Sequence, residues 1–319
     1  MIPKDRPFVI ALGGNAISPA HAEGNIPQQI EAARATAVWL ADLIAAGYRP
    51  VITHGNGPQV GNVLRRVELS VHEVYPLPLD ICVADTQSGM GYVITRCLNN
   101  ELRRRGVSRV ACTLVTCVEV DPADPALARP SKPIGRVYPR QQAVELMNRY
   151  GWHMVEIAGA GWRRVVPSPR PRAIVEIDVI RRMVAAGELL VTCGGGGIAV
   201  MCGADGDWHG VEAVIDKDLT AAVLGRELAT THLVIVTAEP KVFVDYDRPT
   251  RRGLDRARVA DLRRWLAEGQ FPAGSMGPKI EAAIDFLGNH PAAGARVVIC
   301  DNETLPAALD GRAGTWIEP

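Results

Sequence analysis

A chain of 319 residues, 47% of them hydrophobic, suffices for one large α/β unit or two lobes around a sizeable core. Its 35 lysines and arginines balance 35 aspartates and glutamates, and a formal net charge of zero argues against general binding to nucleic acid or anionic membranes. No apolar run approaches the ~20 residues of a membrane span and the start lacks a signal-peptide core, so a cytoplasmic location is expected.

Phe8-Val9-Ile10-Ala11-Leu12 has no polar face, the pattern of a strand buried on both sides of a parallel sheet, and it runs into Gly13-Gly14-Asn15. Gln28 to Ala46 carries apolar residues at helical spacing and stops at Gly47. Pro50 to Thr53 follows as a strand, closing a right-handed strand–helix–strand unit. His54-Gly55-Asn56-Gly57-Pro58 is a tight turn. Helices are expected over Gln59 to Ser70 and Ile81 to Arg105, and a single strand over Arg109 to Val120. From Asp121 to Tyr138 prolines and glycines erase all periodicity, and the segment reads as an irregular lid, a binding loop or a small subdomain. Pro167 to Arg172 is a second irregular stretch, leading into a helix over Ile174 to Ala185.

The second half repeats the alternation. Strand Glu188 to Cys193 meets four glycines, Gly194 to Gly197, and a hairpin-like patch surrounds Asp205-Gly206-Asp207. Helix Lys217 to Arg226, strand Leu233 to Thr237 and a polar segment from Tyr246 to Arg258 come next. Helices Val259 to Ala267 and Pro278 to Leu287, strand Ala295 to Cys300 and a short helix at Leu305 close the chain. The class is α/β throughout, with a break near Gly187. In an open parallel sheet the glycine-ended strands gather on one edge, where ligands bind.

Glycine turns at strand ends, together with isolated lysines, suggest phosphate chemistry. The Gly-x-x-x-x-Gly-Lys-Ser/Thr loop is absent. Gly55 to Gly61 looks like a dinucleotide fingerprint with one extra residue, but Pro58 lacks a backbone donor and no acidic residue follows at the required distance. Lys217 and Lys279 each stand in the first turn of a predicted helix, where a cation opposes the dipole unless it faces an anion. Seven cysteines without a C-x-x-C pair, most of them inside apolar runs, read as reduced core residues and not as zinc ligands. His54 and His209 read as structural.

Together, Ala11 to Ala16, Thr53 to Gly61, Ser131 to Gly135, Arg164 to Pro169, Gly194 to Gly197, Glu212 to Asp218 and Ala273 to Lys279 resemble carbamate kinase, of the amino acid kinase superfamily. They stand in that family's order and span nearly the entire chain. The resemblance implies a three-layer α/β/α sandwich around a mainly parallel open sheet, with a small protruding subdomain at about residues 121–165. It implies a single domain, residues 1–187 forming the acceptor lobe and 188–319 the nucleotide lobe. ATP or ADP, Mg²⁺, carbamate or carbamoyl phosphate and a homodimer are also implied, with no nucleic acid and no membrane.

Carried over residue by residue, Lys132, Lys217 and Lys279 would be catalytic, with Asp218 as their organiser. Lys132 would replace a lysine that many amino acid kinases carry where this chain has Ala11. Gly13, Gly14, Asn15, Gly55, Asn56 and Gly57 would cradle the carbamate and the transferred phosphoryl group. Asp216, Thr237, Ala238, Tyr246, Met276 and Gly277 would lie on the nucleotide side, and no residue set is assigned to a metal. Two stretches depart from the family. Thr237-Ala238-Glu239-Pro240-Lys241 stands where Thr-Asp-Val-(Asp/Glu)-Gly is usual, which bears on the nucleotide. Asp85-Thr86-Gln87-Ser88 replaces Met-Ser-Gln-Gly, near the acceptor site or a dimer face. These leave room for a paralogue phosphorylating another small acid, or for a nucleotide-binding regulator.

Overall fold

The structure, a computed structural model, describes residues 1–14, 24–157, 159–272, 275–288 and 290–319. The strand Pro7–Leu12 lies in the middle of an eight-stranded sheet. Its residues alternate between two apolar cores: Val9 and Ala11 face one, Phe8, Ile10 and Leu12 the other. That alternation between two dry layers is why the strand carries no polar face. The helices Ile26–Ala45 and Leu79–Arg104 cover one side, and Lys217–Glu227 and Met276–Gly288 the other. The result is an α/β/α sandwich.

Across the sheet the strands run Arg256–Arg258, Thr315–Glu318, Arg296–Cys300, His232–Val236, Pro7–Leu12, Arg49–His54, Leu189–Val191 and Ala111–Thr113. All neighbours are parallel except Arg296–Cys300 with Thr315–Glu318. Pro7–Leu12 has strands of the second half on one flank and Arg49–His54 on the other, so connections diverge there. Such a switch point opens a crevice beyond the strand ends. Leu189–Val191 sits between two strands of the first half, so the sheet continues unbroken across Gly187.

Three expectations need correction. Arg109 to Val120 is two strands in different sheets, Ala111–Thr113 in the main one and Cys117–Val120 in a four-stranded one. Between them the chain turns at Thr116, whose side chain donates to Leu114 O at 2.9 Å. Ile174 ends a strand, Pro171–Ile174, and the helix begins only at Ile177. Asp121 to Tyr138 is not irregular throughout, because Lys132–Tyr138 is a strand paired antiparallel with Gly161–Val166. Pro133 is tolerated there because the strand lies at the edge of its three-stranded sheet, and a register shift between Ile134 and Val137 absorbs Gly135.

With Met154–Ile157 and the helix Arg140–Tyr150, these strands form the small subdomain, whose core is Tyr138, Ala143, Leu146, Trp152 and Met154. The short terminal strands Arg256–Arg258 and Thr315–Glu318 were also unforeseen; Arg256 and Arg258 point outward, and three residues show no readable alternation. Cys82, Cys97, Cys193 and Cys300 are buried as expected, while Cys202 is exposed. Among the described residues no helix is long and apolar enough to cross a membrane.

Candidate active site

The strand ends do gather. Gly14, Gly55, Asn56, Gly57, Gly195, Asp216, Lys217, Asp218, Lys132 and Lys279 line one cavity of about 170 Å³ at the switch point. Asn15 lies outside the described residues.

The cavity is built on the start of the helix Lys217–Glu227. Asp216 caps it, its Oδ1 accepting the Asp218 amide at 2.9 Å. The next turn is buried nearly all round, which holds the Asp-Lys-Asp triplet rigidly. Lys217 Nζ donates to Asp218 Oδ1 at 2.5 Å. From the opposite helix Lys279 Nζ reaches Asp218 Oδ2 at 3.2 Å and Ser275 O at 3.1 Å. The third lysine, Lys132, comes from the first residue of the subdomain strand and pairs with Asp216 Oδ2. Three lysines thus face two aspartates, a formal excess of one positive charge.

The electrostatics follow from burial and pairing. Burial alone would raise both carboxyls, but Lys132 beside Asp216, and Lys217 with Lys279 beside Asp218, hold them below the usual carboxylate range. Burial pulls Lys217 below the ordinary lysine value despite Asp218, with the positive charge of Lys279 adding to the lowering. For Lys279 burial acts downward too, but the carboxylates of Asp218 and Asp216 outweigh it and the net shift is upward. An anion entering the cavity would find ammonium groups from three separate elements and glycine-rich backbone opposite.

Those backbone turns are shaped by close packing. Gly195, Gly196 and Gly197 all have positive φ, and a Cβ on Gly195 would lie 2.2 Å from Asn56 Nδ2. Gly55 lets the Lys217 stem pass: a Cβ there would be 3.2 Å from Lys217 Cδ.

The sequence model of the amino acid kinase family matches residues 6–301. The chain belongs to the amino acid kinase family. It is 46% identical over 312 residues to the carbamate kinase-like protein YahI of Escherichia coli, covering 97% of this chain and 98% of that protein. It is 42% identical over 313 residues to the carbamate kinase of Pyrococcus horikoshii, with 98% of each covered. The solved structure of carbamate kinase from Giardia lamblia bound to AMP-PNP superposes with a TM-score of 0.88 at 36% identity, covering 98% of each chain. Within the amino acid kinase family the chain falls with the carbamate kinases.

The remaining expected residues are arranged less tightly. Asp216, expected on the nucleotide side, stands instead among the lysines, and Asp218 organises only two of the three. Gly13 is buried against Val236, beneath the cavity. Thr237, Ala238, Tyr246, Met276 and Gly277 do not line the lysine cavity. Thr237 donates its amide to Cys300 O at 2.8 Å, and Ala238 is exposed in the turn that follows. Tyr246 donates to Glu239 Oε1 at 2.7 Å, and Arg251 stacks on its ring and on that of Phe243, each at 4.1 Å. Lys241 pairs with Asp255. Met276 and Gly277 open the helix that carries Lys279.

Two residues of the departing Asp85 to Ser88 stretch prove central to the scaffold. Gln87 Nε2 donates to Gly194 O at 2.9 Å while its Oε1 accepts the Thr116 amide at 2.7 Å. Thr86 Oγ1 accepts from Asn56 Nδ2 at 2.9 Å. Their sequence signal is polar residues at core spacing on a helix face otherwise formed by Cys82, Val83, Met90 and Ile94. His54 is buried and kept neutral: burial lowers it to about 4, and Nδ1 donates to Gly55 O at 3.0 Å. His209 is exposed beside Asp205 on the hairpin. Arg170 and Arg172 make surface ion pairs with Glu281 and Asp121.

Proposed function

We propose that this chain is an ATP-dependent carbamate kinase, interconverting ATP plus carbamate with ADP plus carbamoyl phosphate by direct in-line transfer. The observation that carries the reading is the convergence of Lys132, Lys217 and Lys279 on Asp216 and Asp218 beside three glycine turns. Phosphoryl transfer needs positioning and stabilisation of charge on the equatorial oxygens more than covalent chemistry. A carbamate oxygen is already anionic, so no strong general base is needed. Near-full-length identity above 40% to carbamate kinases supports the acceptor, and the AMP-PNP-bound Giardia enzyme supports the nucleotide.

In this reading Lys217 and Lys279 neutralise charge developing on the transferring group, and Lys132 exchanges Asp216 for phosphate oxygen. Gly13, Gly14, Gly55, Asn56 and Gly57 present backbone amides to the acceptor. Thr237, Ala238, Tyr246, Met276 and Gly277 face the nucleotide base and ribose. Mg²⁺ typically takes one or two carboxylates plus substrate phosphates. Asp216 and Asp218 fit that demand, and among the described residues no larger His, Cys, Asp or Glu group could hold a metal. Bound there, the ion would neutralise the nucleotide phosphates.

The chain is also read as a homodimer. The main sheet ends at Ala111–Thr113, where the Asn99 side chain already pairs with both backbone groups of Ala111, next to exposed Val110 and Val115, and the helix Leu79–Arg104 exposes Ile81 and Tyr92. Exposed apolar surface of this kind is what a partner copy covers.

Formation of ATP from ADP and carbamoyl phosphate, measured with acetyl phosphate as competing donor, is the test. Carbamoyl phosphate should be strongly preferred. Turnover with acetyl phosphate but not with carbamoyl phosphate would reassign the acceptor to another small acid.

A further inference from the structure

Asn56 lines the lysine cavity yet is only 2% exposed. Its Nδ2 donates to Thr86 Oγ1 at 2.9 Å. That direction is dictated from within the helix Leu79–Arg104. Thr86 Oγ1 lies 3.0 Å from Cys82 O and 3.0 Å from Val83 O and donates its single hydrogen there, so it offers Asn56 only lone pairs. The Asn56 amide therefore turns its nitrogen to Thr86 and leaves its oxygen over. Gly195 confines the other side of the group: a Cβ there would lie 2.6 Å from Asn56 Oδ1. Among the described residues Oδ1 accepts no hydrogen bond. An amide oxygen in so buried a residue gains by meeting an N–H donor.

On the carbamate kinase reading above, on which this rests, we propose that Asn56 Oδ1 accepts from the amino group of the phosphoryl acceptor, and that Thr86 is the positioning residue that reserves Oδ1 for it. The nitrogen of carbamate and of carbamoyl phosphate is conjugated with the carbonyl, so it donates two N–H bonds and accepts none. Acetate and acetyl phosphate present a methyl group at the same place. The lysines and glycine turns meet charge and phosphate oxygen, and they treat the two acceptors alike. Oδ1 does not. Opposite a methyl group it stays unpaired, and a site built to hydrogen-bond its substrate discriminates strongly against an analogue that cannot. With the amide reversed, Nδ2 would confront the amino group and the preference would be lost.

The test is ATP formation from ADP and carbamoyl phosphate, with acetyl phosphate as competitive inhibitor, in the wild type, Thr86→Val, Thr86→Ser and Asn56→Ala. Valine is isosteric with threonine but cannot accept a hydrogen bond. Thr86→Val should lower kcat/KM for carbamoyl phosphate about tenfold and leave the inhibition constant of acetyl phosphate within about twofold of the wild type. Thr86→Ser keeps the hydroxyl and should stay near the wild type. Asn56 makes no side-chain cap bond to the helix Gly57–Ser70, so Asn56→Ala should fold and show the same selective loss. Equal losses of affinity for acetyl phosphate and of kcat/KM for carbamoyl phosphate in these variants would reduce the pair to a structural role. Unchanged kcat/KM in Asn56→Ala would remove Oδ1 from recognition. Either result overturns the proposal and leaves carbamate kinase activity standing. A wild type that makes no ATP from carbamoyl phosphate would overturn the carbamate reading, and the proposal with it.

Discussion

At the scale of single residues, Asp218 decides how the lysines can be probed. It accepts from Lys217 and from Lys279, so removing either lysine leaves the buried carboxylate one partner. Lys217→Ala and Lys279→Ala should therefore fold, yet each should lose on the order of 10²–10³ in kcat for ATP formation, the usual cost of removing one preorganised donor. Near-wild-type turnover in either folded variant would take that lysine out of the mechanism. A different pattern is expected at the substituted nucleotide turn. Ala238 is exposed and Lys241 is tied to Asp255, so that turn carries no side chain toward the lysines. An interaction made equally in ground and transition states moves KM alone. Ala238→Asp should lower the KM for ADP by about fivefold, worth about 1 kcal/mol if one hydrogen bond is gained. A rise in kcat at constant KM would show that the turn acts on the transferring phosphoryl group.

At the scale of elements, the subdomain is held to the body where a helix and a strand meet with no side chains between them. A Cβ on Gly61, in the helix Gly57–Ser70, would stand 2.0 Å from Gly135 Cα, and Gly135 has φ +66°. Arg163 closes the contact by donating Nε to Gly135 O at 2.9 Å. The helix begins at the Gly55-Asn56-Gly57 turn and the strand begins at Lys132, so the glycine pair sets the distance between them. Gly61→Ala must push backbone apart, and overpacking of this kind costs about 1–3 kcal/mol. The variant should melt earlier in thermal scans and lose kcat with the KM for ADP unchanged. Unaltered kcat would mean that Lys132 does not depend on this contact. The strand itself was hidden in the sequence because Pro133 and Gly135 deny it a periodic pattern, and an edge position is what permits them.

At the scale of the molecule, pH should act through buried histidines. Burial holds His54 and His232 at about 4 in the folded chain. An unfolded histidine takes up its proton below about pH 6.5 while the buried one stays neutral down to about 4. Their contribution to stability is complete above pH 6.5 and is lost as pH falls toward 4. For His54 the slope in that window is about 1.4 kcal/mol per pH unit. Urea unfolding at pH 6.5 and 4.5 should show a shallower loss for His54→Asn than for the wild type; identical slopes would remove His54 as a source. Assembly is the other property of this scale. Tyr92 is 58% exposed on the face proposed for the partner copy, and Tyr92→Arg should shift the mass in light scattering from dimer to monomer. A wild-type chain that is monomeric at micromolar concentration would reject the dimer.

Local signals were enough for much of this. An apolar run with no polar face dictated a doubly buried strand at Phe8 to Leu12. Glycines after strands and lysines in first turns picked out residues that line one cavity, because each is a statement about a few neighbouring residues and the dipole or solvent they face. The pairing of Lys132 with Asp216, 84 positions away, is of another kind. So are the grip of Gln87 on Gly194, the insertion of Leu189–Val191 between strands of the first half, and the place of Asp216 among the lysines. These were decided only when the sheet closed, since a buried charge or amide takes whichever partner the fold brings within hydrogen-bond reach, and sequence separation carries no information about that distance.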